Sequence, residues 1–519
     1  MKKIFTLLAS ALFAVTVSAE SYTGALKVTV NGITTDAGNA NVEMTPNGDG
    51  TCNFSLKNFM FVEAGQQMPV GTINLTDIPY DKASAVAVFS GDQNLTIADG
   101  DDPNVGFWMG SMLGEMPIFI QGSTYNGKMK AVILIDANRN NLGVIKVLFG
   151  ENADEVGQIP NSGFEKYHKA GSIDEANAWH SFGSCDGKFS GMVKGTAHTE
   201  AVKDVCPGTT GTTSLRIFST SIWGISANGT VTTGRMSAGS VSATDKSNHA
   251  YLDMSNTDVD GNGDPFYAAL TAWPDSIGVW MKYNPGKSDL KASISAVITD
   301  GTYYQDPEDK TYNNVVAKAS KTDIEENGGN WQYVTVPFDY ASYEKPEGQE
   351  IAGRAMLVTM STCATPGGGT GSDNLYVDDL RLIYNYKPQA LVYNGVAFAD
   401  FATDKFEYTL TGVDNFDEDF LTAVVPSDEN DESKVVVEDE ENPGSGTVYY
   451  TIISGDFQNT VTYTIHYAGT TGINGVENTK SNGVAGIYDL SGRRVSMNAG
   501  QHGVFIIRTA DGKTYKVNK

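Results

Sequence analysis

Two features of the sequence predict an all-β fold. Nearly every periodic segment alternates apolar and polar residues with a period of two, and clusters of Gly, Asn, Asp and Pro separate these segments. This pattern is typical of antiparallel strands joined by tight turns, whereas amphipathic helices repeat every three to four residues. Because 519 residues exceed what one hydrophobic core organises, we expect several β domains in series.

Residues 1–19 have the pattern of a secretory signal peptide. Lys2 and Lys3 precede an apolar run from Ile4 to Val17, and small residues follow up to Ala19, which predicts cleavage after Ala19. The run is shorter than the roughly 20 residues of a membrane-spanning helix, and no later window reaches that length, so no membrane span is expected. We predict an exported protein that is secreted, held at the outer cell surface or located in the periplasm.

The charge of the chain limits its partners. The formal net charge is −26, and an acidic surface repels phosphate backbones, so nucleic acid is not expected as a partner. The acids are concentrated between Ala390 and Gly469, which contain 16 Asp or Glu against two Lys, and the balance reverses after Thr471. These changes of composition mark domain boundaries.

Residues 20–150 are predicted to form an up-and-down barrel of eight or nine short strands. Turn signals such as Asn31-Gly32 and Asn126-Gly127 separate the strand-like segments. Tyr22 to Gly32, followed by Phe54 to Phe59, resembles the calycin-like β-barrel domain of secreted bacterial proteins. The resemblance implies a barrel that holds a small apolar ligand, although its own side chains can equally fill an eight-stranded barrel.

Residues 158–386 are predicted to form a jelly-roll β-sandwich. Asn161 to Glu165 and Tyr376 to Leu380 resemble the first and last strands of carbohydrate-binding jelly rolls. Further segments resemble the family named "putative carbohydrate metabolism domain", namely 179–182, 232–236, 274–280, 304–308 and 331–340. The family resemblance implies a galactose-binding-like jelly roll associated with glycan use.

Two smaller β domains follow. Residues 388–469 are predicted to form a small acidic sandwich. The last strand of this sandwich, Val461 to Tyr467, resembles the closing strand of immunoglobulin-like or cadherin-like spacers. Residues 472–519 contain Ile487 to Val495, Gly503 to Thr509 and Gly512 to Val517. This pattern resembles the C-terminal sorting domain of the bacterial type IX secretion route, which implies a short β-sandwich tail read by an export machinery.

Two sets of oxygen ligands are predicted to bind calcium, which prefers carboxylate and carbonyl oxygens. Glu165 and Asp378 lie in the opening and closing strands of the jelly roll, where a structural calcium could join them, and Asp379 is the alternative if the register differs. The weaker second set matches the start of an EF-hand loop but has Ala269 at the twelfth position. A hairpin connection is the alternative there. The second set comprises Asp258, Asp260, Asn262 and Asp264.

Sugar recognition requires aromatic faces and planar polar groups, which we expect in the loops of the jelly roll. Trp280 and Trp331 lie in alternating apolar strands, so we expect these two in the core. Ordinary loop packing is the alternative for each of the predicted sugar ligands. These ligands are Trp179, Trp223, Arg235, Asp300, Tyr303, Tyr304 and Gln305.

Cysteine and catalytic motifs give little further information. Of the four cysteines, Cys185 and Cys206 close the shortest loop and are the favoured disulfide, while Cys52 is expected to be a buried thiol. The six histidines show no metal-ligand spacing, and the nucleophile-elbow, zincin and phosphate-loop motifs are absent.

Together these features predict an exported, modular, non-catalytic protein whose jelly roll binds a glycan or polysaccharide. Two alternatives stay open. One is a structural or adhesive surface protein that binds protein partners. The other is a carbohydrate-active enzyme, because glycoside hydrolysis requires only two suitably placed carboxylates.

Overall fold

The computed structural model describes residues 18–63, 66–82, 84–222, 224–413, 415–426, 433–442, 444–469, 484–489, 504–509 and 514–518. The signal-peptide prediction up to residue 17, Trp223 and much of the predicted sorting domain lie outside these residues. Contacts divide the chain into two compact units. Within the described residues, the first unit extends to Tyr386 and also includes Ser433 and 453–460. The second contains Lys387–Pro426, Lys434–Ile452 and the residues from Val461 onward.

The first unit begins with a closed barrel of eight antiparallel strands. Each strand pairs with the next in the chain, and β1 pairs with β8 to close the barrel. The predicted all-β fold with an N-terminal barrel is confirmed. The strands are β1 (Glu20–Val30), β2 (Ile33–Pro46), β3 (Thr51–Glu63), β4 (Gln66–Asp81), β5 (Ala87–Thr96), β6 (Glu115–Tyr125), β7 (Lys128–Asp136) and β8 (Val144–Phe149).

Side chains of alternate residues fill the barrel. In β1, Leu26 is buried and the next residue, Lys27, is exposed, because successive side chains point to opposite faces. Phe54, Phe89 and Phe149 are buried in one continuous apolar cluster. This packing favours a barrel filled by its own side chains over one that encloses an apolar ligand.

After the barrel, two antiparallel sheets form a β-sandwich. One sheet has the order β11-β12-β25-β19-β23, and the other has the order β15-β24-β20-β22, with β18 beside β24. The strands of this region are β9 (Tyr167–Ala170), β10 (Ile173–Ala176), β11 (Thr199–Val202), β12 (Ser214–Phe218), β13 (Thr220–Ile222), β14 (Ile225–Ala227), β15 (Thr230–Thr232), β16 (Arg235–Ala238), β17 (Asn248–Leu252), β18 (Ala268–Ala269), β19 (Ser276–Asn284), β20 (Ala292–Thr299), β21 (Tyr304–Asp306), β22 (Val315–Ile324), β23 (Gln332–Pro337), β24 (Ala355–Ser361) and β25 (Asn374–Ile383).

The inner faces of the two sheets share one apolar core. In β19, Ile277, Val279 and Met281 are fully buried, and they pack with Ile294 of β20 and Met356 of β24. A separate three-stranded sheet, β16-β17-β21, covers a second apolar cluster. This sheet positions the surface described in the next section.

The second unit contains three small sheets. Their orders are β27-β26-β29, β28-β32-β31-β30 and β33-β34-β35, and β28 is parallel to β32. The immunoglobulin-like and sorting-domain identities stay predictions. The strands are β26 (Ala390–Tyr393), β27 (Val396–Ala397), β28 (Glu407–Thr411), β29 (Leu421–Val424), β30 (Ser433–Asn442), β31 (Ser445–Ile453), β32 (Thr460–Ala468), β33 (Val484–Asp489), β34 (Val504–Thr509) and β35 (Thr514–Asn518).

Helical structure is sparse. In the part of the chain that the structure describes, the single α-helix is the one-turn α1 (Ser190–Val193), and no helix has the length and apolar character needed to cross a membrane. Short 3₁₀ helices of three residues each lie at Gly110–Met112, Asn138–Asn140, Ala153–Glu155, Phe182–Ser184, Ala341–Tyr343 and Glu418–Phe420.

Candidate functional site

The outward face of the β16-β17-β21 sheet gathers polar and aromatic side chains. Arg235 of β16 pairs with Tyr251 of β17, and Tyr251 pairs with Gln305 of β21. Because paired residues in neighbouring strands point to the same face, these three side chains lie side by side. His249, two residues before Tyr251, shares their face, and Tyr303 directly precedes β21. We call Arg235, His249, Tyr251, Tyr303 and Gln305 the tyrosine surface.

Aromatic rings run across this surface in continuous contact. The ring centroids of Tyr251 and Tyr303 are 5.5 Å apart, those of His249 and Tyr251 are 5.6 Å apart, and Tyr312 extends the run 6.5 Å beyond Tyr303. Tyr303 is 38% exposed. The ring spacings lie within the usual range for interacting aromatic pairs, so the surface presents a connected aromatic area that reaches solvent.

Hydrogen bonds fix the polar groups of the tyrosine surface. The Tyr303 hydroxyl lies 2.9 Å from Gln305 Oε1 and 3.1 Å from His249 Nε2, and Gln305 Nε2 donates to the Lys246 and Pro307 carbonyls. Burial, followed by nearby acids, raises the pKa of Tyr303 to about 12. The phenol is therefore a protonated hydrogen-bond donor at neutral pH.

Acidic groups line one side of the surface. The Tyr251 hydroxyl donates to Asp186 Oδ2 at 2.5 Å, and Arg235 Nη1 lies 2.7 Å from Asp258 Oδ2. Burial, followed by the hydrogen bond to Asp186, raises the pKa of Tyr251. The Arg235 guanidinium also lies 4.6 Å above the ring of Phe266. Charged donors and acceptors thus border the aromatic area.

The predicted sugar ligands divide into four groups, the last of which is buried. Arg235, Tyr303 and Gln305 come together on the tyrosine surface. Asp300 instead shapes the turn before Tyr303, because its Oδ1 accepts from the Thr302 amide and hydroxyl. Trp223 lies outside the described residues.

The predictions for Trp179 and Tyr304 were wrong, since both side chains are in the core. Trp179 is fully buried, packs 5.2 Å from the ring of Phe164, and donates through Nε1 to the Pro160 carbonyl. Tyr304 is 1% exposed. Tyr304 pairs with Leu252 on the inward face of the sheet, opposite to its sequence neighbours Tyr303 and Gln305.

Sequence reasoning missed His249, Tyr251 and Asp186. The signal for the first two was the alternation of the segment His249-Ala250-Tyr251-Leu252, in which Ala250 and Leu252 are buried and the other two are not. Asp186 lies beside β16, because it forms an isolated β-bridge with Ser237 of that strand. No local sequence pattern indicates this contact.

A second group of aromatic side chains lies on the outer face of the β11-β12-β25-β19-β23 sheet. Trp280 packs against Tyr333, which is 45% exposed, so the expectation of a core position for Trp280 was wrong. The even-numbered residues of β19 point away from the core that Val279 and Met281 form. Trp331 is also partly exposed.

Lys282 covers two further rings of this outer face. Its Nζ lies 4.4 Å from the ring centroid of Tyr376 and 5.5 Å from that of Trp331. These cation–π contacts occupy two of the aromatic faces that a sugar would need.

The carboxylates of Glu165 and Asp378 both hold the segment 206–213. Glu165 accepts hydrogen bonds from the amides of Thr212 and Thr213, and Asp378 Oδ2 accepts from the Cys206 amide at 2.9 Å. Burial alone would raise the pKa of Glu165, but these hydrogen bonds outweigh it and lower the pKa. Backbone amides are thus enough to hold both carboxylates in place. A calcium ion between Glu165 and Asp378 stays a prediction.

The loop predicted as a weak calcium site is stabilised by its own hydrogen bonds. Asp260 Oδ1 accepts from the amides of Asn262 and Asp264, and Asp264 Oδ2 accepts from Asn262 Nδ2 and the Ala178 amide. Asp258 is paired with Arg235 on the tyrosine surface. The arrangement is that of a hairpin connection, and calcium binding by the four residues stays a prediction.

The predicted disulfide between Cys185 and Cys206 is not formed. Cys185 belongs to the apolar cluster beneath β16 and β17, whereas Cys206 lies beside Asp378 and Asp379. Both are buried free thiols, and burial raises the pKa of Cys185 to about 11 and that of Cys206 to about 12. Cys52 is buried as predicted.

Comparison with known proteins bears on the barrel. Residues 19–152 match the family of calycin-like beta-barrel domains. No curated protein matches this chain. Two solved structures from Bacteroides are similar over part of its length. A "putative glycoside hydrolase" from Bacteroides thetaiotaomicron is 14% identical, with 59% of this chain and 87% of that chain covered and a TM-score of 0.32.

The second similar structure is a "putative outer membrane protein" from Bacteroides fragilis. It is 12% identical, with 66% of this chain and 96% of that chain covered and a TM-score of 0.17. At these TM-scores neither likeness carries an argument about function. The barrel contributes no residue to the tyrosine surface.

Proposed function

We propose that this chain is an exported glycan-binding protein and that the tyrosine surface contacts the carbohydrate. The observation that supports the proposal most is the solvent-reaching run of rings formed by His249, Tyr251, Tyr303 and Tyr312. The apolar face of a pyranose stacks on such rings, and fixed polar groups at their border reach the hydroxyls. Export rests on the predicted signal peptide.

The polar groups at the border suit a neutral, hydroxyl-rich ligand. Arg235 supplies N–H donors and Asp186 supplies acceptor oxygens. The phenol protons of Tyr251 and Tyr303 are donated to Asp186 and Gln305, so their oxygens can accept hydrogen bonds from a ligand. The positive charge of Arg235 is already compensated by Asp258 at 2.7 Å. The surface therefore offers little net positive charge to attract an anionic ligand.

The tyrosine surface is favoured over the outer-face aromatic group. Lys282 covers the rings of Tyr376 and Trp331 on that face, which leaves the pair Trp280 and Tyr333. On the tyrosine surface the aromatic run is longer, and charged groups of both signs lie beside it.

Glycan binding by the full chain is expected to require Tyr303. We expect Tyr303→Ala to weaken binding at least about tenfold, equivalent to about 1.4 kcal/mol, because truncation removes the most exposed ring of the run. A glycan array covering plant, host and microbial polysaccharides identifies the ligand, and titration calorimetry measures the change in affinity.

Tyr333→Ala is the matched control, because it removes a tyrosine of similar exposure from the other aromatic face. Loss of binding in Tyr333→Ala with full binding in Tyr303→Ala would contradict the assignment of the surface. A blank array would instead support the structural or adhesive alternative, and release of reducing sugar from the bound glycan would support the enzymatic one.

A further inference from the structure

Four ionisable side chains meet in the interior between the β9-β10 hairpin and the loop after β17. His168 comes from β9, Glu175 from β10, His180 from the segment that follows, and Asp260 from the loop. Their side chains are at most 8% exposed. None of these four residues belongs to the tyrosine surface.

The atoms that face one another form ion-pair contacts but no well-aligned hydrogen bonds. They are His168 Nε2, Glu175 Oε2, His180 Nε2 and Asp260 Oδ2, and His180 Nδ1 is unpartnered as well. Buried polar atoms normally find partners, because leaving one unsatisfied costs free energy, and more so when the group is charged. A cation bound between them would satisfy all four atoms together.

The other oxygen of each carboxylate is fully engaged. Glu175 Oε1 accepts from the Ser181 amide at 2.7 Å and from the Ser181 hydroxyl, and Asp260 Oδ1 accepts from the amides of Asn262 and Asp264, each at 2.8 Å. Each carboxylate is thus held in place through one oxygen while the second oxygen is left free. Outer hydrogen bonds of this kind orient the ligands of metal ions.

His168 is likewise held through one ring nitrogen while its second ring nitrogen faces the other ionisable groups. Its Nδ1 lies 3.2 Å from Asn177 Oδ1, an atom that can only accept, so Nδ1 donates. In a neutral ring Nε2 then carries the lone pair, and it faces Asp260 Oδ2 at 3.4 Å and Glu175 Oε2 at 4.0 Å. Lone pairs of a nitrogen and two carboxylates repel one another unless a proton or a metal ion lies between them.

We propose that His168, His180, Asp260 and Glu175 form a buried structural site for a divalent transition-metal ion of the zinc type. His168 Nε2 and His180 Nε2 lie 3.4 and 3.3 Å from Asp260 Oδ2. These separations match the roughly 3.3 Å between ligand atoms of a tetrahedral zinc site with bonds of about 2.0–2.1 Å. Two imidazoles with two carboxylates favour zinc-type ions over calcium or magnesium.

Side-chain movement completes the site. In the described conformation, no group of three or more His, Cys, Asp or Glu side chains among the described residues is arranged to hold a metal ion. Glu175 Oε2 is 4.0 Å from His168 Nε2, so it must approach by roughly half an ångström to reach the tetrahedral separation. With four protein ligands that are each at most 8% exposed, the ion would join the β9-β10 hairpin to the loop after β17.

The test is metal binding by the full chain, stripped with a transition-metal chelator and then titrated with Zn²⁺ or Co²⁺. We expect one equivalent of Zn²⁺ to bind, the Tm of the first unit to rise by at least about 5 °C in excess Zn²⁺, and Co²⁺ to give the visible absorption of a four-coordinate nitrogen–oxygen site without thiolate bands. Asp260→Asn, which keeps the oxygen that accepts from Asn262 and Asp264, should weaken Zn²⁺ binding at least about 100-fold.

Two further variants make the result decisive. His168→Gln removes the most exposed of the four ligands and replaces Asp260→Asn as the test variant if Asp260→Asn does not fold. Glu165→Gln is the control, because Glu165 is not one of the four proposed ligands. The proposal is overturned if neither Zn²⁺ nor Co²⁺ binds stoichiometrically, or if both ligand variants bind as wild type does. It is also overturned if Ca²⁺ alone raises the Tm and Glu165→Gln abolishes that effect, which would support the calcium prediction instead.

Discussion

Replacement of Trp179 by alanine is expected to lower the free energy of unfolding of the first unit by about 3–5 kcal/mol. The indole is fully buried in the sandwich core, packs against Phe164, and donates a hydrogen bond from Nε1 to the Pro160 carbonyl at 3.2 Å. Alanine removes these contacts and leaves both a cavity and an unpaired carbonyl. Urea unfolding followed by far-UV circular dichroism measures the change.

Two variants define what this result means. Trp179→Phe keeps most of the apolar volume and should cost clearly less than alanine, whereas Tyr303→Ala on the surface should change stability by less than about 1 kcal/mol. If Trp179→Ala instead unfolds like wild type and loses glycan binding, the assignment of Trp179 to the core is wrong and its prediction as a sugar ligand is restored.

Acidification from pH 6.5 to pH 4 is expected to remove about 3 kcal/mol of stability through His198 alone. His198 is fully buried beside Phe182, its Nδ1 lies 3.2 Å from the Phe218 carbonyl, and burial lowers its pKa to about 4. The unfolded chain takes up the proton near pH 6.5, before the folded chain does. The stabilising contribution is therefore fully present above pH 6.5 and is lost as the pH falls towards 4.

The measurement is the stability of wild type relative to His198→Gln at pH 7.5 and at pH 4.5. Glutamine retains an N–H donor for the Phe218 carbonyl but does not titrate. We expect the wild type to lose stability relative to the variant at the lower pH. An equal pH dependence of both proteins, or an NMR titration that gives His198 a pKa near 6.5, would contradict the burial argument.

The barrel was predictable from its sequence because strands such as β1 and β8 alternate with a period of two. Leu26 and Val28 of β1 are buried and Lys27 is exposed, as the alternation requires. The turns at Asn31-Gly32 and Asn126-Gly127 also lie between strands, and Asn31 and Asn126 have positive φ.

The functional surface was only partly predictable, because strand register and distant contacts determine it. Tyr303 and Tyr304 are adjacent in sequence, yet pairing with β17 places Tyr304 inside. Trp280 was predicted to lie in the core, but the register of β19 places Val279 and Met281 in the core and Trp280 on the outer face. His168, His180 and Asp260 meet although Asp260 is 80 residues from His180, so no spacing rule could have linked them.

Carbohydrate binding by the tyrosine surface is best tested by a crystal structure of the full chain with the oligosaccharide that binds best on the array. We expect a sugar ring stacked on Tyr303, with hydroxyls within hydrogen-bond distance of Arg235 or Asp186. A sugar bound against Trp280 and Tyr333, or in the barrel, with the tyrosine surface unoccupied, would contradict it.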